Sequence, residues 1–257
     1  MEGGKSMRKS GINSTTPQDM LLGAGTVFKN LKYVYSKVTV TDPADAPANA
    51  LKVVSDDTEE TEDTIQISKL TANVSFIGLA ADYTAPAVDD YVVGEWDDSE
   101  ANVLGATSGG NKVSIASELL DIDVDGATVK VKGMTVKIGE AASIETNLAQ
   151  HTPESIKRAI VGKEVGSLIK GFKQIVTKSL IELSDYLDNI AFVGSMTDGT
   201  DVIIIMENAI CTSAYELEGK NKETAVTATK FEASADFAEG VFDTLPVYIF
   251  YPEKVTA

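Results

Sequence analysis

Apolar positions along the chain recur with a period of two or in short unbroken runs, and Gly, Pro, Asp and Asn cut the runs at short intervals. The pattern predicts strands at Thr26–Tyr35, Leu51–Val54, Thr64–Ile67, Ala72–Ile77, Tyr91–Val93, Val113–Ile122, Thr177–Leu183, Thr224–Ala235 and Val247–Tyr251. Asn189–Ser195 and Val202–Asn208 flank Thr197-Asp198-Gly199-Thr200, and an Asp-Gly pair between apolar runs predicts a hairpin. Leu104–Lys112 and Asp123–Gly126 read as turns. Val129 and Val131 are apolar at odd positions, Met134, Val136 and Ile138 at even ones. A slip of one residue reverses every side chain, so a bulge or tight bend is expected at Gly133. One helix stands out, Pro153–Val161. Thr152 can cap it, Pro153 suits its first position, Glu154 sits at the positive end of its dipole and Gly162 can end it. Ser184–Asp188 reads as a helical turn. The fold class is therefore mostly β: an antiparallel β-sandwich or barrel with one flanking α-helix.

Charge divides the chain. Of 257 residues with a net charge of −17, positions 40–100 hold 15 acids and two lysines, a net of −13, while the remaining 196 carry 24 acids and 20 bases, a net of −4. A nearly balanced body is thus interrupted by an acidic segment of short β-like runs, a small β subdomain rather than a linker. As a whole the chain repels nucleic acid. The longest aliphatic run, Val202–Met206, is far shorter than the ~20 residues of a membrane span. The basic start, MEGGKSMRKSGINSTT, lacks an apolar stretch and does not read as a signal peptide; Met7 is an alternative start, and residues 1–20 read as a free polar arm. One Cys excludes an internal disulfide.

Candidate chemistry is sparse. His151 and Cys211 are the only imidazole and thiol, and no spacing pattern joins them, so Cys211 reads as a buried apolar residue and His151 as a loop residue. Asp121-Ile-Asp123-Val-Asp125-Gly126 matches half a calcium loop, but its twelfth position is Lys132, which cannot ligate calcium. The acid run Asp56–Asp63 has no Gly to bend it around an ion. Gly105-Ala-Thr-Ser-Gly-Gly110-Asn111-Lys112 departs from a phosphate loop, because Asn111 separates Gly110 from Lys112 and Val113 follows. Trp96 is the only Trp, too little aromatic surface for a sugar cleft. No catalytic, cofactor or metal residue is assigned.

Several phrases in order carry a resemblance. They are Thr16-Pro17-Gln18, Leu21-Leu22-Gly23-Ala24-Gly25, Gly105-Ala106-Thr107-Ser108-Gly109-Gly110-Asn111, and Asp123-Val124-Asp125-Gly126 with Val131-Lys132-Gly133. Thr152-Pro153-Glu154, Asp188–Gly194, Ile203–Ala209 and Tyr248–Pro252 follow. Together they resemble the tail tube (major tail) proteins of tailed phages and prophages of Gram-positive bacteria, over residues 12–36 and 101–252. The departure is 37–100, where those relatives have a short connection; it coincides with the acidic segment. The organisation expected is therefore 1–36 as arm and first strand of a tube domain, 37–100 as an inserted acidic subdomain on the outer tube surface, and 101–257 as the rest of the tube domain.

The resemblance implies a non-enzymatic wall subunit of a virion tail, made in the host bacterial cytoplasm. It would self-assemble into stacked, hexameric rings that conduct DNA without sequence-specific binding. Tape-measure protein, tail terminator and baseplate proteins would be its partners, with no cofactor and no membrane. Inner strands of neighbours would close into one barrel, which removes exposed edges. The arm 12–25 would order on a neighbour, and Leu21, Leu22, Phe28, Asn189, Phe192, Ile204 and Met206 are the expected oligomer contacts. The cationic strand face of Thr128, Lys130, Lys132 and Lys137 should avoid a DNA-conducting lumen or be paired with acids. A contractile tail tube or tail-like bacteriocin fits the same phrases; a β-rich surface or carbohydrate-binding module is the alternative of another class.

Overall fold

The computed structural model describes residues 20–123, 125, 129–219, 221–236 and 244–253. Strand β1 (Leu21–Lys29) leads into β2 (Tyr33–Val38), β3 (Leu51–Val54), β4 (Thr64–Gln66), helix α1 (Ile67–Leu70), β5 (Ile77–Leu79) and β6 (Tyr91–Trp96). There follow β7 (Thr107–Asp121), β8 (Thr135–Leu148), helix α2 (Pro153–Ala159), β9 (Gly162–Val165), β10 (Gln174–Thr177), β11 (Leu187–Met196), β12 (Asp201–Cys211), β13 (Thr227–Glu232) and β14 (Val247–Phe250). Of the described residues 45% are strand and 9% helix, in largely antiparallel sheets, so the fold is mostly β.

Seven strands form the main sheet, in the order β1-β11-β12-β13-β8-β7, with β14 beside β12. β12 serves two neighbours in succession: Ile203–Met206 pair with β14, and Ile210 and Cys211 pair with β13. Between them Asn208 adopts φ 51. A left-handed residue turns the strand, so one chain passes from one layer to the next; Asn tolerates that conformation better than a residue with a bulkier side chain. The sheet folds over a core that includes Val27, Ile144, Leu148, Ile190, Phe192, Met206 and Phe231. Its ends approach at one point, where the Asn111 carboxamide nitrogen of β7 donates to the Ala24 and Gly25 carbonyls of β1 at 3.0 and 3.1 Å. Thr146 Oγ1 donates to the other end of that amide at 2.6 Å. Gly25, at φ +64, is required because a Cβ there would run into the Phe192 ring.

The runs Asn189–Val193 and Val202–Met206 have no polar face because both faces are covered. Ile190, Phe192 and Met206 face the first core. Ala191, Ile203 and Ile205 face a second, shared with Phe28, Leu31 and Phe76. That second core joins the main sheet to a mixed five-stranded sheet, β4-β3-β6-β2-β5, which has a core of its own around Tyr35, Val53, Ile65, Leu70, Tyr83 and Val92. A buried polar node fixes the two sheets together. Asn189 Nδ2 donates to the Leu31 carbonyl at 3.1 Å and to Ser75 Oγ at 2.9 Å. Its cross-strand neighbour Glu207 accepts from the Ser75 amide and from the Tyr248 hydroxyl. Buried polar groups with directional partners hold one relative orientation where apolar packing alone would tolerate several.

Several expectations change. Thr26–Tyr35 is not one strand: Asn30, at φ 53, breaks it, and β2 joins the five-stranded sheet, which therefore begins at Tyr33, ahead of position 37. Leu104–Lys112 is a turn only at its start; from Thr107 it is strand, with an irregular register up to Asn111 where Gly109 and Gly110 take positive φ. Strand at Thr177–Leu183 is displaced to β10, and a 3-10 turn covers Leu183–Asp185. Ile77–Leu79 replaces the strand expected over Ala72–Ile77. Helix α1 had no signal in the pattern. It exists because the acid run wraps its start: Asp56 accepts from the Ser68 amide at 2.9 Å, and Glu60 accepts from the Gln66 amide at 2.9 Å and pairs with Lys69. Those contacts hold both carboxyls below their usual range.

Helix α2 has the expected start. Thr152 Oγ1 accepts from the Ser155 amide at 3.1 Å, and Ser155 Oγ accepts from the Thr152 amide at 2.9 Å. Val161, at φ 46, takes the left-handed position rather than Gly162. Glu154 ties the helix to β1, meeting Arg158 at 2.9 Å and Lys29 at 3.0 Å. The Arg158 guanidinium foremost, then Lys29, holds the Glu154 carboxyl at about 2.

Two predictions follow from these elements. Asn208→Ala lowers stability by about 1 kcal/mol in urea titration, whereas Asn208→Gly stays within about 0.5 kcal/mol of the parent. Because folding lowers the Glu154 pKa, its stabilisation is present above the ordinary value of 4.5 and is lost as pH falls toward 2. Glu154 is half exposed, so Glu154→Gln costs only ~0.5–1 kcal/mol at pH 7, and the melting curves of variant and parent converge at pH 2.

Candidate assembly surfaces

The β7–β8 hairpin is longer than the core beneath it. Near its base Ala142, Ile144 and Leu148 are buried. From Ile115 outward, β7 is exposed on both faces, over seven residues to Asp121, a reach of ~24 Å. Leu119, Leu120, Ile122, Val136 and Ile138 all stand in solvent, Leu119 60% exposed. Leu120 pairs with Val136 and Leu119 with Lys137, so apolar side chains lie on both sides of the ribbon. β7 also ends the sheet order, and beyond Asn111 its outer edge has no strand partner among the described residues. A two-stranded ribbon with two wet apolar faces is marginal by itself. An open strand edge is a template for another chain.

The bend expected at Gly133 is present: its φ is +92, and the Met134 amide donates to the Val131 carbonyl at 3.1 Å, closing a turn just before β8. Of the cationic face, Lys130 pairs with Asp121 at 2.8 Å and Lys137 with Glu140 at 3.1 Å. The Lys130 ammonium depresses the Asp121 carboxyl, and the Leu245 amide, ahead of Lys137, depresses that of Glu140. Thr128, the arm up to residue 19 and Val124 and Gly126 of the Asp123–Gly126 turn lie outside the described residues.

A second apolar surface had no counterpart in the sequence reading. β9 and β10 form a separate two-stranded ribbon. Its connection carries Leu168, fully exposed, with Ile169 and Phe172, 70% exposed. Leu180, Ile181 and Leu183 extend the same kind of surface past β10. The available signal was Ser167-Leu-Ile-Lys-Gly-Phe172, three large apolar residues in a turn-like setting with no helical or strand period to bury them.

The residues expected at an oligomer contact separate into two groups. Leu21 and Leu22 are exposed on β1, paired with Met196 and Ser195, and Leu22 is 58% accessible. Ile204 is half-buried against the first core. Phe28, Asn189, Phe192 and Met206 are buried inside the chain's own layers and present nothing to a second copy in this fold. Phe192 and Met206 fill the first core, Phe28 the second, and Asn189 belongs to the polar node between the sheets.

The remaining candidates resolve into local structure. His151 Nε2 donates to the Ala225 carbonyl at 3.0 Å, and buried Cys211 lies 3.5 Å from Ser213 Oγ. A cleft beside α2, lined by Lys29, Glu100, Gln150, Glu154 and Lys173, has its lysines paired with Glu154 and Glu164. Among the described residues no three His, Cys, Asp or Glu side chains are grouped to hold a metal. Among the same residues no helix is long and apolar enough to cross a membrane. What the described residues expose is an open strand edge and two apolar projections. No protein-family model matches the chain, and no curated protein sequence matches it.

Proposed function

We propose that the chain is the structural subunit of a phage-type tail tube, assembling into stacked rings, hexameric in the related proteins, around a channel for DNA. The observation that carries this reading is the β7–β8 ribbon, apolar on both faces and open along β7. Such a ribbon gains its missing burial and hydrogen bonds when copies stand side by side. Two contacts between unlike surfaces are needed: one that closes into a ring, and a stacking one that does not close and so repeats as a filament. The ordered phrases from Leu21 to Pro252 support the same assignment. The body outside the acidic segment, with 24 acids against 20 bases, permits a channel that DNA slides through, since its cations are outnumbered by acids. In this reading the five-stranded acidic sheet lies on the outer wall, where it leaves the channel open, and the tape-measure, terminator and baseplate proteins are the partners along and at the ends of the tube.

Negative-stain microscopy of the concentrated protein is expected to show rings or tubes. Leu119→Ser with Leu120→Ser should abolish them while the melting temperature of the dilute protein stays within about 2 °C of the parent, because neither side chain contributes to a core. Dispersed monomers of the parent at every concentration and salt tested would remove the proposal.

A further inference from the structure

The two apolar projections carry opposite charge. Residues 153–178, which hold α2 and the β9–β10 ribbon, contain Lys157, Arg158, Lys163, Lys170, Lys173 and Lys178 against Glu154 and Glu164, a net of +4 in a chain of −17. Residues 113–134, the outer half of the β7 edge and the loop after it, contain Glu118, Asp121, Asp123 and Asp125 against Lys130 and Lys132, a net of −2. Lys163 and Lys170 on one side, and Glu118 and Asp123 on the other, make no ion pair among the described residues, whereas Asp121 is held by Lys130 and Lys173 by Glu164. Each projection therefore combines exposed large apolar side chains with charges that make no ion pair among the described residues.

We infer that the β9–β10 ribbon of one copy docks on the outer β7 edge of the next, Leu168, Ile169 and Phe172 meeting Ile115, Leu119 and Ile122 while Lys163 and Lys170 face Glu118 and Asp123. The occupant is a second copy of this chain, because the same molecule carries both complementary halves. Unlike halves make the contact head-to-tail, which propagates, rather than two-fold, which would stop at a dimer. Complementary charge selects the register and suppresses ribbon-on-ribbon and edge-on-edge pairing, while apolar contact supplies the cohesion. Among the described residues both ribbons also have strand edges without a strand partner, open to such an approach. The inference rests on the tube reading and specifies one of its contacts.

Charge reversal tests it in full-length protein. An arm variant, Lys163→Glu with Lys170→Glu, and an edge variant, Glu118→Lys with Asp123→Lys, should each raise the concentration needed for pelletable assembly at least tenfold. Combining all four substitutions, or mixing the two variants one to one, should restore it. In parallel, a photo-reactive benzoylphenylalanine at position 172 should crosslink to a neighbour's tryptic peptide Val113–Lys130. Circular dichroism confirms that every variant is folded. Tubes that form equally well from the arm and edge variants, with crosslinks mapping elsewhere, overturn this contact and leave the tube reading standing. A parent protein that never assembles, and crosslinks to no copy of itself, overturns both.

Discussion

A strand edge and an apolar face in water are costly together, and the β7–β8 hairpin has both. Its base is anchored in a packed core, where Ile144 is fully buried and pairs with Val113. Its outer half continues past that core with no layer above or below it among the described residues. β7 and β8 stay paired and the Gly133 turn returns the chain, but among the described residues nothing covers Leu119, Leu120 or Ile138. The rest of the structure is arranged to keep that projection fixed. The Asn111 amide ties its base to β1, and the ion pairs Lys130–Asp121 and Lys137–Glu140 hold it within itself.

Rigidity beneath the hairpin comes from β11 and β12. Both are buried on two faces, so they act as a shared wall between the folded main sheet and the five-stranded acidic sheet. The Asn189–Ser75–Glu207 node then sets how the acidic sheet sits. The segment that carries most of the negative charge is consequently a docked layer with its own core rather than a loose loop. Its acids serve local purposes too: Asp56 and Glu60 occupy the start of α1, where the backbone amides have no other acceptor.

Much of this was legible in the residues. The β11–β12 hairpin was readable because Asp198-Gly199 separates two long apolar runs, and α2 because Thr152 and Pro153 mark its start locally. The bend at Gly133 was readable from a change of parity alone. What failed was non-local. Whether Phe28, Phe192 and Met206 face a partner or a second layer of the same chain depends on the five-stranded sheet packing behind β11, and no local pattern encodes that. The break at Asn30 was hidden by strong strand formers on both sides. The β9–β10 ribbon was missed because four residues in each strand are too few to establish a period.

The account stands on the claim that the outer β7 edge is completed by another copy of the chain. Hydrogen exchange of the β7 amides beyond Asn111, followed by mass spectrometry as protein concentration rises, measures this directly. The account predicts fast exchange in the dilute protein and strong protection of these amides, with little change in β11 or β12, once assemblies form. Unchanged fast exchange along β7 in assembled material would contradict it.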